Sequence, residues 1–361
     1  MRYSVVVFLL VNVALIVYAV ASVWTLLSLL VVDGAADALV AAELDAAPWS
    51  AAAAAAASAN YSRVDLIPRI IHQTYIDDEQ IPPEWKRARQ SCLALHTPEE
   101  GWEYQLWTDA LSREFVATEY PWFLAVFDGY RFPIQRADAI RYLVLAHFGG
   151  IYIDLDVGCH RKLDPLLAYP AWVRRTVPTG ISNDVMGSVP QHPFFLRAID
   201  ALTEYNRNWL LPYITVMAST GPLFLSLVWR HYNTELDGSS SAAGAGGFAS
   251  LGRGTGNNNN NNNNGVAGAV GSVGRGANRV RLLLKDQYMG NETSFFSIYQ
   301  GSSWHKGDAK LVFWMRDHWG LLLLLGLVLA YLVFSRSWRG YRRLLRRCRG
   351  PSIALDGHKE V

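Results

Sequence analysis

A chain of 361 residues with a formal net charge of +2 is long enough for one large domain or two small ones, and it gives no support to nucleic-acid binding. Its 51% hydrophobic content is high for a soluble enzyme and points to segments that lie in a membrane. Three cysteines, Cys92, Cys159 and Cys348, are too few and too scattered for a disulfide scaffold or a cysteine zinc site. Cys92 and Cys159 either form one bridge or remain buried thiols.

Residues 5–32 are nearly all apolar and uncharged, and a bilayer core needs roughly 20 helical residues. They read as a transmembrane anchor behind a short cytosolic N terminus, residues 1–4. A cleaved signal ending near Ala19-Val20-Ala21 is the competing reading, but the apolar run continues past the usual length of a signal core. Residues 33–62 are rich in alanine, with an unbroken run from Ala51 to Ala57, and read as a stem. Ile67 to Thr74 is the first strand-like segment; His72 either caps its end or touches a base. Pro82-Pro83 opens a helix over Glu84–Leu95. Trp102 to Trp107 alternates like a second strand, and Thr108 with Asp109 caps a further helix.

The stretch from Arg136 to Asp156 carries the chemistry. Ala137 to Ala146 favours helix, with Ile140, Leu143 and Val144 on one face. Gly149-Gly150 stops it, and the short apolar strand Ile151–Ile153 follows. Residues two apart in a pleated strand point the same way, so Asp154 and Asp156 are expected to project together beyond the carboxyl edge of a sheet, where open α/β folds bind ligands. Paired carboxylates suit a hard divalent cation. Asp138 and Arg141, three apart on the preceding helix, share a face; they read as a surface ion pair or as part of the same pocket. Strand and helix alternate up to Asp156, which predicts an α/β sheet with parallel strands.

Beyond the acids, Ile181–Val189 carries Asn183 and Asp184, which either face a ligand or only shape a turn. Pro193–Tyr205 reads as an amphipathic helix, and Thr220-Gly221-Pro222 opens another. Residues 236–278 change to glycine, serine and alanine, with asparagine throughout Asn257–Asn264. That composition buries too little apolar surface to offset its ordering entropy and reads as a disordered insertion. The folded domain is therefore expected over residues 63–235 and 279–316. A second span, residues 317–338, has Trp319 and Trp338 at its ends, as interfacial anchors. Arg336, Arg339, Arg342, Arg343, Arg346, Arg347 and Arg349 make residues 339–361 a basic cytosolic tail, so two spans place the domain between them in the lumen. The sequons at Asn60 and Asn291 agree with that side, and the Golgi membrane is the compartment they suggest.

The motifs resemble those of the glycosyltransferases with an Asp-x-Asp motif, glycosyltransferase family 32, whose signature is Arg-x-x-Asp-x-x-Arg, a spacer, then Gly-Gly-x-Tyr-x-Asp-x-Asp. This chain has Asp138, Arg141, Gly149-Gly150, Tyr152, Asp154 and Asp156, but Arg136 lies two rather than three before Asp138. Ile67–Thr74, Trp107-Thr-Asp109, Ser182-Asn-Asp184, His192-Pro-Phe194, Thr220-Gly-Pro222 and Gly301-Ser-Ser-Trp-His305 are also similar to family segments. The last of these, with the flanking spans, looks most like the branch formed by catalytic subunits of fungal mannosyl phosphorylinositol ceramide synthase.

The resemblance implies a GT-A-like α/β domain that binds a nucleotide sugar, flanked by two transmembrane helices. It implies a metal-dependent retaining mannosyltransferase that moves mannose from GDP-mannose to inositol phosphoceramide, with a calcium-binding regulatory subunit as partner. On the matching positions, Asp154 and Asp156 would hold Mn²⁺ or Mg²⁺, with His305 as a further ligand. Asp138, Arg141, Asn183, Asp184, Ser303 and Trp304 would bind the donor, and Arg141 would act with the two acids in catalysis. Rival readings are a Golgi mannosyltransferase that extends protein N-glycans and a membrane subunit without activity.

Overall fold

The computed structural model describes residues 65–176, 179–245, 278–290, 293–299, 301 and 307–348, with 34–41, 44 and a few isolated positions nearer the N terminus. The chain divides into two compact units, residues 24–304 and residues 1–23 with 305–361. The apolar run 5–32, apart from isolated positions, the alanine run, the asparagine run, both sequon asparagines, Ser303, Trp304, His305 and the tail beyond Cys348 lie outside the described residues.

The larger unit is built on a six-stranded sheet. In chain order its elements begin with β1 (Ile70–Thr74), α1 (Pro83–Leu95), β2 (Glu103–Trp107), α2 (Asp109–Glu119), α3 (Leu124–Asp128), α4 (Pro133–Phe148) and β3 (Gly150–Ile153). They continue with β4 (Val157–Cys159), β5 (Ala171–Arg175), β6 (Ile181–Ser188), α5 (Pro193–Tyr205), α6 (Pro212–Ser219), α7 (Pro222–Ala245), β7 (Arg281–Leu283), α8 (Lys285–Tyr288) and β8 (Phe296–Ile298). The sheet order is β2-β1-β3-β6-β5-β7, while β4 and β8 form a separate antiparallel pair.

As expected up to Asp156, β1 runs parallel to both β2 and β3, with helices between them in sequence. Beyond Asp156 the expectation of parallel strands fails. β6 runs antiparallel to β3 and to β5, so the sheet is mixed. The chain reverses at Asp154, where Val157 N donates to Asp154 O at 2.9 Å and closes a turn, and direction after a turn is set by pairing rather than by periodicity.

Local chemistry explains the element ends. Thr108 caps α2, its hydroxyl accepting from Leu111 N at 3.3 Å. Pro133 opens α4, and Gln135 reaches back to accept from Phe132 N at 3.0 Å. At the other end Gly150 has φ +90°, and a Cβ there would meet Ile70 O at 2.6 Å, so only glycine fits where β3 joins β1.

The sheet is buried on both faces. Tyr152, Val173, Met186 and Leu282 pack on the side of α4, α5 and α7, whereas their neighbours Ile151, Ile153, Trp172, Val185 and Leu283 pack with Ile67, Cys92 and Phe296 on the other. Cys92 of α1 and Cys159 of β4 form a disulfide, which resolves the alternatives left open by the sequence.

Two boundaries differ from expectation. The start of the alanine-rich segment is not a free stem: Asp37 pairs with Arg279, Ala38 bridges to Leu282, and Leu39 and Leu44 are buried in the core. These two leucines cover apolar surface beside β7, a role that the surrounding alanines obscure. Helix α7 also continues to Ala245, past the expected boundary at residue 235, running through Gly238.

The smaller unit contains α9 (Gly307–Asp317) and α10 (Trp319–Cys348). The window Trp319–Gly340 of α10 has mean hydropathy 2.0 and no buried residue, which makes it long and apolar enough to cross a membrane. The helix persists beyond residue 338 because arginine and leucine are good helix formers. Pro212–Asp237 meets the same composition test, but 67% of its window is buried and it forms core, with Phe224, Leu225 and Trp229 packed inside.

Candidate active site

Strand β1 lies between β2 and β3, so the chain moves to one side of it and then to the other. The carboxyl ends of β1 and β3 flank that reversal, the place where open α/β sheets leave a crevice. Asp154 follows β3 directly at this point. The acids do not sit on one continuing strand as expected; they flank the turn between β3 and β4.

Asp154 is held from three directions. Tyr152 donates its hydroxyl to Asp154 Oδ1 at 2.7 Å, Arg141 Nη1 lies 3.1 Å from the same oxygen, and Asp154 N donates to Asp184 O at 2.8 Å. Its side chain keeps 29% exposure. Burial above all, opposed by Arg141 and aided by Asp156 and Asp184, pushes its pKa up to about 7.

Arg141, with a side chain only 4% exposed, organises the cluster. Its Nε donates to Ala137 O at 3.1 Å and its Nη1 to Asn183 O at 2.7 Å, while Nη2 pairs with Asp138 Oδ1 at 3.1 Å. The guanidinium stacks over the Tyr152 ring at 4.7 Å. Burial opposes its charge, but Asp154, Tyr152 and Asp138 outweigh that, so the group stays protonated.

Asp138 is equally enclosed. Asn183 Nδ2 donates to its Oδ1 at 2.9 Å and Thr220 Oγ1 to its Oδ2 at 3.0 Å. Tyr142 joins both partners, accepting from Asn183 Nδ2 at 2.9 Å and donating to Thr220 O at 2.6 Å. Burial raises the Asp138 pKa, while Arg141, Thr220 and Asn183 pull the other way. The pair Asp138 and Arg141 is thus part of the site, and the alternative of a surface ion pair is excluded.

Asp184 is gripped by Arg174, Nε to Oδ1 at 2.9 Å and Nη2 to Oδ2 at 2.6 Å. Asp156 differs from the other acids: among the described residues its carboxylate has no side-chain partner and is met only by its own backbone N–H. Its backbone carbonyl accepts from Tyr299 N at 2.8 Å, and a Cβ placed on Gly301 would overlap its Oδ2. Burial first, then Asp184, raises its pKa. The first residue of the Gly301–His305 segment therefore abuts Asp156, although Ser303, Trp304 and His305 themselves fall outside the described residues.

The structure brings together Asp138, Arg141, Asp154, Asn183 and Asp184, with Asp156 beside Gly301. Arg174, Tyr152, Tyr142 and Thr220 complete the network. Of these, Arg174 carried no signal beyond sitting in an arginine pair at the end of a strand.

Four carboxylates, Asp138, Asp154, Asp156 and Asp184, share two guanidinium groups, Arg141 and Arg174. The fully ionised cluster carries two excess negative charges, and burial disfavours that state. A divalent oxygen-seeking cation fits this donor set: it balances the charge, and Asp156 is the acid whose carboxylate no described side chain holds. The described residues include no group of three or more acids, histidines or cysteines arranged to hold a metal alone, so further oxygens would come from a bound ligand.

Comparison with known proteins agrees with this geometry. Residues 82–172 match the family described as a glycosyltransferase sugar-binding region containing a DXD motif. The chain is 41% identical over 332 residues to the mannosyl phosphorylinositol ceramide synthase SUR1 of Saccharomyces cerevisiae, covering 91% of this chain and 72% of that protein. It is 43% identical to CSH1 of the same yeast, covering 79% and 65% of the two chains. It is also 43% identical to the inositol phosphoceramide mannosyltransferase 2 of Schizosaccharomyces pombe, covering 75% and 69%. Among solved structures, the PaToxG glycosyltransferase overlays with a TM-score of 0.38 at 17% identity over 50% of this chain and 74% of that one, too loose a likeness to argue from.

An acid pair after a buried strand, on a mixed sheet with the sugar-binding signature, defines a glycosyltransferase of the DXD class. Within that class, the chain belongs to the mannosyl phosphorylinositol ceramide synthase family.

Proposed function

We propose that this enzyme transfers mannose from GDP-mannose to inositol phosphoceramide, with Asp154 and Asp156 holding Mn²⁺ or Mg²⁺. The observation that carries the reading is that Asp156, next to Asp154, meets no side-chain partner among the described residues, in a cluster two positive charges short of neutral. When bound, the cation neutralises charge that develops on the departing diphosphate.

The chain's own residues orient the reactants. Arg141 and Tyr152 fix Asp154, and Asp138, held by Thr220 and Asn183, is assigned with Asn183 and Asp184 to the donor-sugar side by resemblance. Ser303, Trp304 and His305 follow Gly301 in sequence and are assigned to the diphosphate side by resemblance alone. In the reaction the bond from the anomeric carbon to the diphosphate oxygen breaks. A hydroxyl of the inositol forms the new bond and gives its proton to the departing phosphate. Retention, by attack from the leaving-group face, is carried over from the resemblance to the family.

The disulfide between Cys92 and Cys159 belongs to an oxidising compartment. It supports a luminal catalytic unit, with the Golgi membrane as the setting and the acceptor's ceramide in the bilayer.

Microsomes carrying the full chain, given GDP-mannose with either inositol phosphoceramide or an N-glycan, test the proposal. Lipid mannosylation is expected, and Asp156→Asn and Asp154→Asn should each lower it by on the order of 100-fold or more, the usual cost of one pre-placed electrostatic group. Unchanged lipid mannosylation in both variants, or transfer to the glycan alone, would refute it.

A further inference from the structure

One arginine beside the acid cluster has no part in the reaction described above. Arg174 lies on β5, across from the β6 segment that carries Asp184, and the two side chains retain 17% and 19% exposure. Its fork binds both Asp184 oxygens, its Nη2 also donates to Ser182 Oγ at 3.2 Å, and its plane stacks on the Tyr288 ring at 4.5 Å. Tyr288 is itself fixed, its hydroxyl donating to Arg175 O at 2.6 Å. A two-point contact with a stacked face leaves the guanidinium one orientation.

Asp184 is close to both acids of the turn. Its backbone carbonyl accepts from Asp154 N at 2.8 Å, and its charge acts on the carboxyls of both Asp154 and Asp156. Left to itself, it would be a third acid competing for any cation there.

We propose that Arg174 is a positioning residue that holds Asp184 out of the cation's ligand set, so that Asp154 and Asp156 alone face the metal and coordination sites stay open for the donor's diphosphate. This rests on the two-acid cation reading above. A cation held by three acids would be bound more tightly without donor and would polarise the diphosphate less, because more of its charge would already be cancelled. Arg174 thereby couples metal retention to donor binding. A buried ion pair that served stability alone would have no such effect.

The test is Mn²⁺ binding to the full chain in detergent, followed by loss of the free-ion paramagnetic signal, with no turnover required. Arg174→Gln, which frees Asp184, is expected to tighten Mn²⁺ about tenfold and to raise KM for GDP-mannose. Arg174→Gln with Asp184→Asn removes both partners and should return Mn²⁺ affinity to within about threefold of the wild type. Should Arg174→Gln fail to fold, Arg174→Lys retains the charge but contacts only one oxygen, and a tightening of about twofold to threefold is expected. Unchanged or weaker Mn²⁺ binding in the folded single variants overturns the proposal. So does loss of binding in the double variant, which would make Asp184 a ligand. Wild-type protein that binds no Mn²⁺ would sink the two-acid reading and this one together, whereas normal wild-type binding with unresponsive variants sinks only this one.

Discussion

His72 shows how a single ring can be assigned from its neighbours. The Trp107 indole can only donate, and it reaches His72 Nδ1 at 3.1 Å; the proton therefore sits on Nε2, which donates to Gly149 O at 2.9 Å. The ring is buried and fully used in its neutral form, and burial drives its pKa down to about 4. The unfolded chain takes up this proton near pH 6.5. Stability from His72 is therefore complete above about pH 6.5 and is lost as pH falls from there towards 4, by up to about 3 kcal/mol. Thermal unfolding of the purified chain between pH 7.5 and 4.5 should show a steeper acid loss than in His72→Gln, and equal slopes would contradict the assignment. The strand-capping alternative read from the sequence is nearer the outcome than contact with a base, since both ring nitrogens face protein. Asp138, Arg141, Asp154 and Asp156 were singled out by their spacing together with the resemblance to the family motifs; spacing alone left a surface ion pair open. Arg174 was not, because only the pairing of β5 with β6 carries it to Asp184.

At the level of elements, the site depends on a short strand pair that is not hydrogen-bonded into the main sheet. β4 follows the acid turn and pairs with β8, after which Gly301 presses against Asp156. Gly301→Ala would place a methyl carbon in hard overlap with Asp156 Oδ2, so that the carboxylate or the Gly301 backbone would have to move by more than about an ångström. The expected result is a loss of about 100-fold in lipid mannosylation, the scale on which small misplacements act, with an unfolding temperature close to that of the wild type. Full activity in this variant would mean that the position of Asp156 is not critical. Helices were the most legible elements: α5 spans Pro193–Tyr205, the range its pattern predicts, and the proline at the start of α1 is one residue from its expected boundary. Strand direction was not legible, since Ile181–Ser188 reads the same either way and only its register with β3 makes it antiparallel.

On the scale of the whole molecule, the two units solve different solvent problems. The larger one buries both faces of its sheet, whereas the Trp319–Gly340 window exposes Leu324, Leu325 and Leu327 as a bilayer-facing helix does. If the larger unit is luminal, Asn291, followed by Glu292 and Thr293, should acquire an N-glycan in cells. Endoglycosidase treatment should then lower the apparent mass of the wild type by one glycan more than that of a chain in which Thr293→Ala removes this acceptor site and leaves the one at Asn60, and an unmodified Asn291 would weaken the luminal reading. The expectation of this topology rests on charge asymmetry along the chain, because the arginines cluster after the second apolar run. The inclusion of Leu39 and Leu44 in the core was hidden, as tertiary cover for an edge strand leaves no local period.

The Cys92–Cys159 link, whose ends are 67 positions apart in sequence, governs how the enzyme can be produced. A bacterial cytosol, where thiols stay reduced, would yield a chain whose acid turn lacks its tether to α1. Recombinant work is therefore best directed to secretory hosts or to strains with an oxidising cytoplasm, and the thiol titre of a preparation should be measured before its activity is assayed.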